Sequence, residues 1–323
     1  LTANETFAEN TGERRLPPIF VGAMKFSTKA VAPCFGLLCA IVFVQAAAGA
    51  DADDVATGTN SPIGRYGLFN GLDHSSVYTK DAFPNPFLVE DVASEDTELE
   101  LNWLHTRAGD KHSDTGSVEI QKGIGVLTLE ASVPYVNSVK PDESIHGLGN
   151  IDLGARYPLY QYVSANHLID STFGIGMEAD IATDSTVSRN GELEPEIFNA
   201  LALGQHFTMQ TVLGWGGTTG GGDNEGEQDF DYGFSLAWQI PHAALPIPGT
   251  EQFIPMVEIS GERGLNRDEA GKDNVLGDVG FRAQCNGIGD VRPWLGFAGI
   301  FPLDNGARKD VHWGFEVSAI LEF

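Results

Sequence analysis

The chain ends on VHWGFEVSAILEF, residues 311–323. Counting back from the end, every second residue is bulky or apolar: Phe323, Leu321, Ala319, Val317, Phe315 and Trp313. Between them stand Glu322, Ile320, Ser318, Glu316, Gly314 and His312. A period of two marks a strand, because successive side chains point to opposite faces. Chain ends usually fray, yet this pattern persists to the last residue, so its apolar face needs something to lie against.

The same alternation recurs along the chain. Leu99, Leu101 and Trp103 alternate with Glu98, Glu100 and Asn102; Leu127, Leu129, Ala131, Val133 and Tyr135 with Thr128, Glu130 and Ser132. Ile151 to Tyr157 and Phe173 to Ala179 repeat it, and Phe230, Tyr232, Phe234, Leu236, Trp238 and Ile240 give the clearest internal case. Clusters of Gly, Asn, Asp and Pro separate these runs. The reading is about twelve strands, near 97–106, 116–121, 126–136, 149–159, 171–182, 193–204, 206–216, 229–240, 252–262, 275–285, 291–301 and 311–323. The segments at 193–204 and 291–301 alternate less cleanly, which leaves their register open.

Such strands build either a soluble sandwich, with the apolar face inside, or a membrane barrel, with the apolar face in lipid. Three features choose the barrel. Aromatics crowd strand ends on the apolar face (Trp103, Tyr135, Tyr157, Trp215, Trp238, Trp313, Phe323), as interfacial girdles do. The other face carries Asp, Glu, Arg, Gln and Gly, which would make a poor sandwich core. Connections also alternate, with long polar ones at 107–115, 137–148, 183–192, 217–228, 263–274 and 302–310, and short ones at 122–125 and 286–289. The longer 241–251 is expected on the short-turn side. The fold class is therefore an all-β transmembrane antiparallel barrel over 96–323. In a closed barrel the last strand pairs with the first, which explains why the final alternation cannot lapse.

The N-terminal third reads differently. From Met24, Lys25 and Lys29 precede an apolar run, Ala30–Val44, and Ala48-Gly49-Ala50 forms a small-x-small cleavage site. This is the pattern of a secretory signal peptide over 24–50, cleaved near Ala50, too short to be a membrane helix. Residues 1–23 read as an upstream over-extension, and 51–95, rich in Gly, Asn, Asp and Pro, as a periplasmic extension or a partial plug. Cys34 and Cys39 fall in the signal, so only Cys285 remains beyond it and no disulfide framework is expected. The net charge of −26 argues against nucleic acid as a partner. The expected setting is the outer membrane of a Gram-negative bacterium, with membrane lipid, lipopolysaccharide, the barrel-assembly machinery and small solutes as partners.

Across most of its length the mature chain resembles the MetA-pathway of phenol degradation family of outer-membrane transporters. The stretches that carry the resemblance are NPFLVEDVASEDTELELNW (85–103), LEASVPY (129–135), GLGNIDLGARYPLY (147–160) and the closing HWGFEVSAILEF. The resemblance implies passage of small hydrophobic or aromatic molecules without cofactor or covalent chemistry. Separately, the final aromatic with apolar residues at every second position, Trp313, Phe315, Val317, Leu321 and Phe323, resembles the signal by which outer-membrane barrels are recognised for assembly.

Alternation places Glu98, Glu100, Glu119, Glu130, Asp152, Arg156, Glu178, Asp180, Asp278, Arg282 and Glu316 on the inner face, as candidates to line a pore. Among them, Asp152-Leu-Gly-Ala-Arg156 and Asp278-Val-Gly-Phe-Arg282 repeat one motif on two strands of equal direction. The motif reads either as a charged constriction that selects solutes or as an Asp–Arg network bracing the bore. The second reading is preferred, because luminal charges generally pair. The Gly-rich 216–227 stretch lacks a P-loop lysine, and its acids fit a solvated loop better than a Ca²⁺ or Mg²⁺ site. No metal site is expected.

Two other classes remain open. A barrel enzyme needs a nucleophile and base at the rim; His105, His112, His146 and His312, with Asp110, Asp142 and Asp310, are the candidates, but G-x-S-x-G and HExxH are absent. An enzyme is accordingly not expected. A closed structural or surface-binding barrel would show no conductance.

Overall fold

A computed structural model describes residues 83–92, 97–164, 168–183, 187, 190–220 and 226–323. The signal peptide and most of the 51–95 segment lie outside these residues. The strands are β1 (Thr97–Ala108), β2 (Lys111–Ile124), β3 (Leu127–Lys140), β4 (Glu143–Leu148), β5 (Ile151–Val163), β6 (Ile169–Ile181), β7 (Gly191–Leu203) and β8 (Phe207–Gly214). They continue as β9 (Gly217–Thr219), β10 (Asp229–Trp238), β11 (Ile240–Pro241), β12 (Thr250–Gly264), β13 (Asp273–Cys285), β14 (Arg292–Pro302) and β15 (Trp313–Glu322).

Every neighbouring pair is antiparallel, and the sheet closes on itself into a barrel of 12 staves. The seam joins β1 to β15, from Glu98 opposite Glu322 to Arg107 opposite Trp313. The C-terminal alternation is thus the last stave, hydrogen-bonded on one side to β14 and on the other to β1. Three short strands are continuations across local breaks: β4 runs on into β5, β9 continues β8 along β7, and β11 continues β10 along β12. The two segments of weak alternation are regular staves, β7 between β6 and β8 and β14 between β13 and β15. One register slip sits in β5 between Pro158 and Tyr160, and it leaves both Leu159 and Tyr160 exposed.

The connections differ from expectation on one end of the barrel. The stretch 107–115 is almost wholly ladder, with only Gly109 and Asp110 between β1 and β2, and 137–148 is mostly the β3–β4 hairpin. Both hairpins rise past the apolar belt. There polar side chains stand on both faces and the few apolar ones, Val136, Val139, Ile145 and Leu148, fall at uneven spacing, so the hydropathy period that marks a strand fades while the backbone pairing continues. This end is called upper here, and the end carrying both Thr97 and Phe323 lower.

Outside, the barrel is apolar. Leu101, Trp103, Val118, Ile120, Leu129, Ile175, Ile197, Val257, Val279, Leu295 and Val317 are all more than a third exposed. A continuous belt of this kind exceeds what a water-facing surface tolerates, and it matches the lipid-facing band of a transmembrane barrel. Trp313, Val317, Leu321 and Phe323 project from it, and Phe315 packs between Trp103 at 5.2 Å and Phe297 at 6.2 Å. Phe281 and Phe253 extend this row onto β13 and β12, so one aromatic row crosses the seam. Phe315→Ala, which removes its ring contacts with Trp103, Phe297, His105 and Trp313, is expected to cost about 1–3 kcal/mol. The check is the urea midpoint of the folded barrel in detergent, and an unmoved midpoint would show that the row does not hold the seam.

Inside, the bore is filled. Three apolar clusters stand among the polar residues: Val89, Val92, Phe198, Ala200 and Val212; Leu104, Leu276, Ile300, Ala307 and Val311; and Ala237, Ile254, Met256, Trp294 and Ile320. Two of them include residues that are not on staves, namely Val89 and Val92 from the N-terminal segment and Ala307 and Val311 from the β14–β15 connection.

Candidate functional site in the barrel interior

The described part of the N-terminal segment, FPNPFLVEDV (83–92), passes through the bore. Pro84 and Pro86 remove two backbone donors and hold the chain extended, but the remaining N–H and C=O groups need partners once they leave water. Inward side chains supply them. The Glu258 carboxylate accepts the N–H groups of Phe87 (2.9 and 3.0 Å), Leu88 (2.8 Å) and Val89 (3.2 Å). Gln210 accepts from the Val92 N–H at 3.1 Å and donates to the Pro84 carbonyl at 2.7 Å.

The two arginines of the repeated motif both grip this segment. Arg282 donates to the carbonyls of Asn85 (2.9 Å) and Pro86 (2.8 Å), pairs with Glu100 at 3.0 Å, and bonds Ser318. Its guanidinium lies 4.1 Å from the Phe87 ring centroid, a cation–π contact. The Asn85 amide donates to Glu98 and Glu100. Arg156 pairs with Glu90 at 2.7 Å and with Glu130 at 3.2 Å, approaches Asp91 at 3.7 Å, and donates to Gln121 at 2.8 Å. Burial, then the charges of Glu178 and Glu130, push the Glu90 carboxyl well above the usual carboxylate range, and Arg156 pulls it back.

An Asp–Arg brace within the motif does not form. Asp and Arg four residues apart on a strand share a face but stand about 13 Å apart along it. Asp152 instead faces Asp180, and Asp278 faces Glu258. The counter-charges come from glutamates on other staves and from the N-terminal segment.

The remaining candidates are placed as follows. Glu119 accepts from Gln121 at 3.0 Å, Asp180 accepts from Asn150 at 3.2 Å, and Glu316 and Asp278 are buried on the inner face. Glu178 stands beside Glu90 and Glu130. Asp152, Asp180, Glu192, Glu194 and Asp231 are half-buried around the upper part of the bore, and together they form an acidic vestibule. Deeper, Arg282, Asp278 and Gln121 are each 1% exposed and Ile254 is 0% exposed, so water does not run past them.

Glycine makes room for this packing. A Cβ on Gly233 of β10 would stand 2.6 Å from a Val89 methyl, closer than any side chain tolerates, so the inserted segment is fitted to a bare stretch of wall.

Alternation alone does not reveal Asn85, Glu90, Asp91, Gln121, Gln210 and Glu258 as parts of this site. The only available signal is that Gln121, Gln210 and Glu258 fall on inward positions; nothing in a strand pattern says that residues 83–92 would meet them.

The rim histidines form no catalytic arrangement. His105 and Asp114 bond at 2.9 Å, but on the outer face, where His105 lies against Trp313 and Phe315 at 5.3 Å. Their register neighbours on that face are Trp103, Arg107, His112, Gly116, Asn137 and Phe315, and among these described residues none carries a hydroxyl or thiol nucleophile. His312 accepts from the Gly109 N–H at 3.2 Å.

No family model and no curated protein matches the chain. Several solved barrels are similar to it. The COG4313 outer membrane channel from Pseudomonas putida F1 is 14% identical, with 74% of this chain and 100% of that one covered at a TM-score of 0.49. The NanC porin is 9% identical over 70% of this chain and 98% of its own, with a TM-score of 0.45. The beta domain of the Bordetella autotransporter BrkA is 10% identical over 72% and 100%, with a TM-score of 0.42. The barrel and its interior rest on the chain's own register and contacts.

Proposed function

We propose that the protein is an outer-membrane channel for small solutes and that residues 83–92 are its plug. The observation that carries this reading is a lipid-facing closed barrel whose polar bore is filled by a segment of the same chain. That segment is held by side-chain contacts and joins no ladder. Luminal polar groups that bond only an inserted strand of chain can exchange it for water when it leaves, which a solid core cannot do. The upper end, opposite Thr97 and Phe323, is then the outer face, and the acidic vestibule is the entrance.

The vestibule favours cations and neutral solutes over anions. The resemblance to the MetA-pathway of phenol degradation family adds small hydrophobic or aromatic compounds as the substrate class. The apolar inner cluster of Ile254, Met256, Trp294 and Ile320 supports contact with an apolar body. Membrane lipid, lipopolysaccharide and the assembly machinery are the other partners, the last reading the outward face of β15. Transport here needs no cofactor and no covalent step.

The test is single-channel recording together with solute uptake in liposomes, comparing aromatic with hydrophilic solutes. In the plug-released channel, Glu192→Gln and Glu194→Gln are each expected to lower cation preference by about two-fold, the effect of losing ~0.5 kcal/mol of attraction in a watery vestibule. Reversal potentials that do not move would place the ion path elsewhere. A closed structural barrel is the second reading, favoured by the same tight plug contacts. It predicts no conductance even after residues 83–92 are removed.

A further inference from the structure

Where the N-terminal segment meets the β3–β7 wall, negative charge exceeds positive. Carboxylate oxygens of Glu90, Glu130 and Glu178 all lie within 4.8 Å of one another. Arg156 reaches two of them, Glu90 at 2.7 Å and Glu130 at 3.2 Å. Three ionised carboxylates against one guanidinium leave two negative charges, and close like charges are costly in a partly dry bore.

A second feature points into the same space. Glu196 is only 5% exposed, and its Oε1 is buried without a hydrogen-bond partner. That oxygen occupies the place a Cβ on Gly176 would take. Gly176 pairs with Arg156 across the β5–β6 ladder and lies two residues from Glu178 on the inner face of β6. Glu196 therefore reaches across β6 toward the cluster, and a buried carboxylate oxygen left unbonded there lacks the partner such groups normally have.

We infer that Glu90, Glu130, Glu178 and Glu196 form a binding site for a hard divalent cation of the Ca²⁺ type, which tacks the plug to the barrel wall. Ca²⁺ binds carboxylate oxygens at about 2.3–2.6 Å, so oxygens on opposite sides of it stand about 4.6–5.2 Å apart. Three carboxylate oxygens that all lie within 4.8 Å of one another can close on one such ion. The cation also offsets two of the three negative charges that the four carboxylates leave beyond Arg156, and it gives Glu196 a partner. Metal-ligand spacing is invisible in the sequence because the four carboxylates come from three staves and the N-terminal segment.

This inference rests on the reading that residues 83–92 occupy the bore, but its test reads ion binding and not conductance, so either can fail alone. The experiment is calorimetric titration of Ca²⁺ into the intact chain, folded in zwitterionic detergent, after removal of divalent ions. One site per chain is expected, with a dissociation constant on the order of 10⁻⁴ M or tighter. Glu178→Gln and Glu196→Gln should each weaken it at least about 10-fold, the loss of one charged ligand, while Glu143→Gln in the exposed β3–β4 turn leaves it unchanged. Heat-modifiable migration on gels checks that each variant is folded. Absence of saturable binding in the wild-type chain overturns the proposal, since protons then carry the excess charge. Binding that survives both inner substitutions also overturns it, because those ions then sit elsewhere, on the outer loops or at the second carboxylate group of Glu98, Glu100 and Glu119.

Discussion

Arg282→Met is expected to raise single-channel conductance several-fold while leaving a folded barrel. The guanidinium is 1% exposed and makes four distinct attachments: two backbone carbonyls of the plug, Glu100, and Ser318. Methionine keeps much of the volume and loses every one of them. Glu100 is then buried beside Glu98 without its counter-charge, and breaking a buried pair of this kind costs about 3–5 kcal/mol. The barrel ladder does not depend on the arginine, whereas the plug does, so the relief comes by expelling residues 83–92 and admitting water to Glu100. Conductance equal to that of the wild-type chain, with gel migration showing a folded barrel, would mean that Arg282 does not hold the plug.

Glu258→Leu should have an effect of similar size by a different route. Its carboxylate is 2% exposed and accepts three consecutive backbone N–H groups, those of Phe87, Leu88 and Val89. Leucine leaves three buried donors unpaired, at about 1–3 kcal/mol each, and the segment can satisfy them only by moving into water. Once the plug is out, the second lesion has little left to release. The double variant Arg282→Met with Glu258→Leu should therefore conduct like either single variant, with strongly non-additive stability losses. Additive gains in conductance would indicate two independent paths through the bore.

The staves were legible in the sequence wherever lipid lies on one side and water or polar side chains on the other. There the period of two is enforced by solvent, and Trp313 to Phe323 show it to the end of the chain. The pattern failed for physical reasons in three places. Around Gly109–Asp110 both faces carry polar side chains, and β4 has only Ile145 and Leu148 as apolar residues, three positions apart, so the ladder continues without a period of two. At Leu159 a bulge slips the register beside Pro158, a residue that cannot donate to the ladder and so marks a break without saying which way the register shifts. Along β7, Phe198, Ala200 and Ala202 face inward as apolar residues because Phe198 and Ala200 pack with Val89 and Val92 of the inserted segment.

The site was legible only in part. Arg156 and Arg282 were marked as luminal by their alternation and by the repeated motif, yet their partners were not. A strand pattern gives the face on which a residue stands, while the partner here is a segment more than 60 residues upstream of Arg156, as with Glu90. The motif's Asp and Arg share a face and therefore invite pairing, but the rise of a strand keeps them apart.

The most direct test is a reversible lock on the plug. The Cβ of Val89 lies 3.2 Å from where a Cβ on Gly233 would stand, near the about 3.5–4.5 Å separation of a disulfide. Val89→Cys with Gly233→Cys, in a Cys285→Ser background that also carries the plug-releasing Arg282→Met, joins the segment to β10. Recorded in planar bilayers, the oxidised channel should stay closed and the reduced one should open, with conductance rising at least several-fold on adding reductant. The same conductance before and after reduction, in a chain shown to be cross-linked, would contradict a channel gated by its own N-terminal segment.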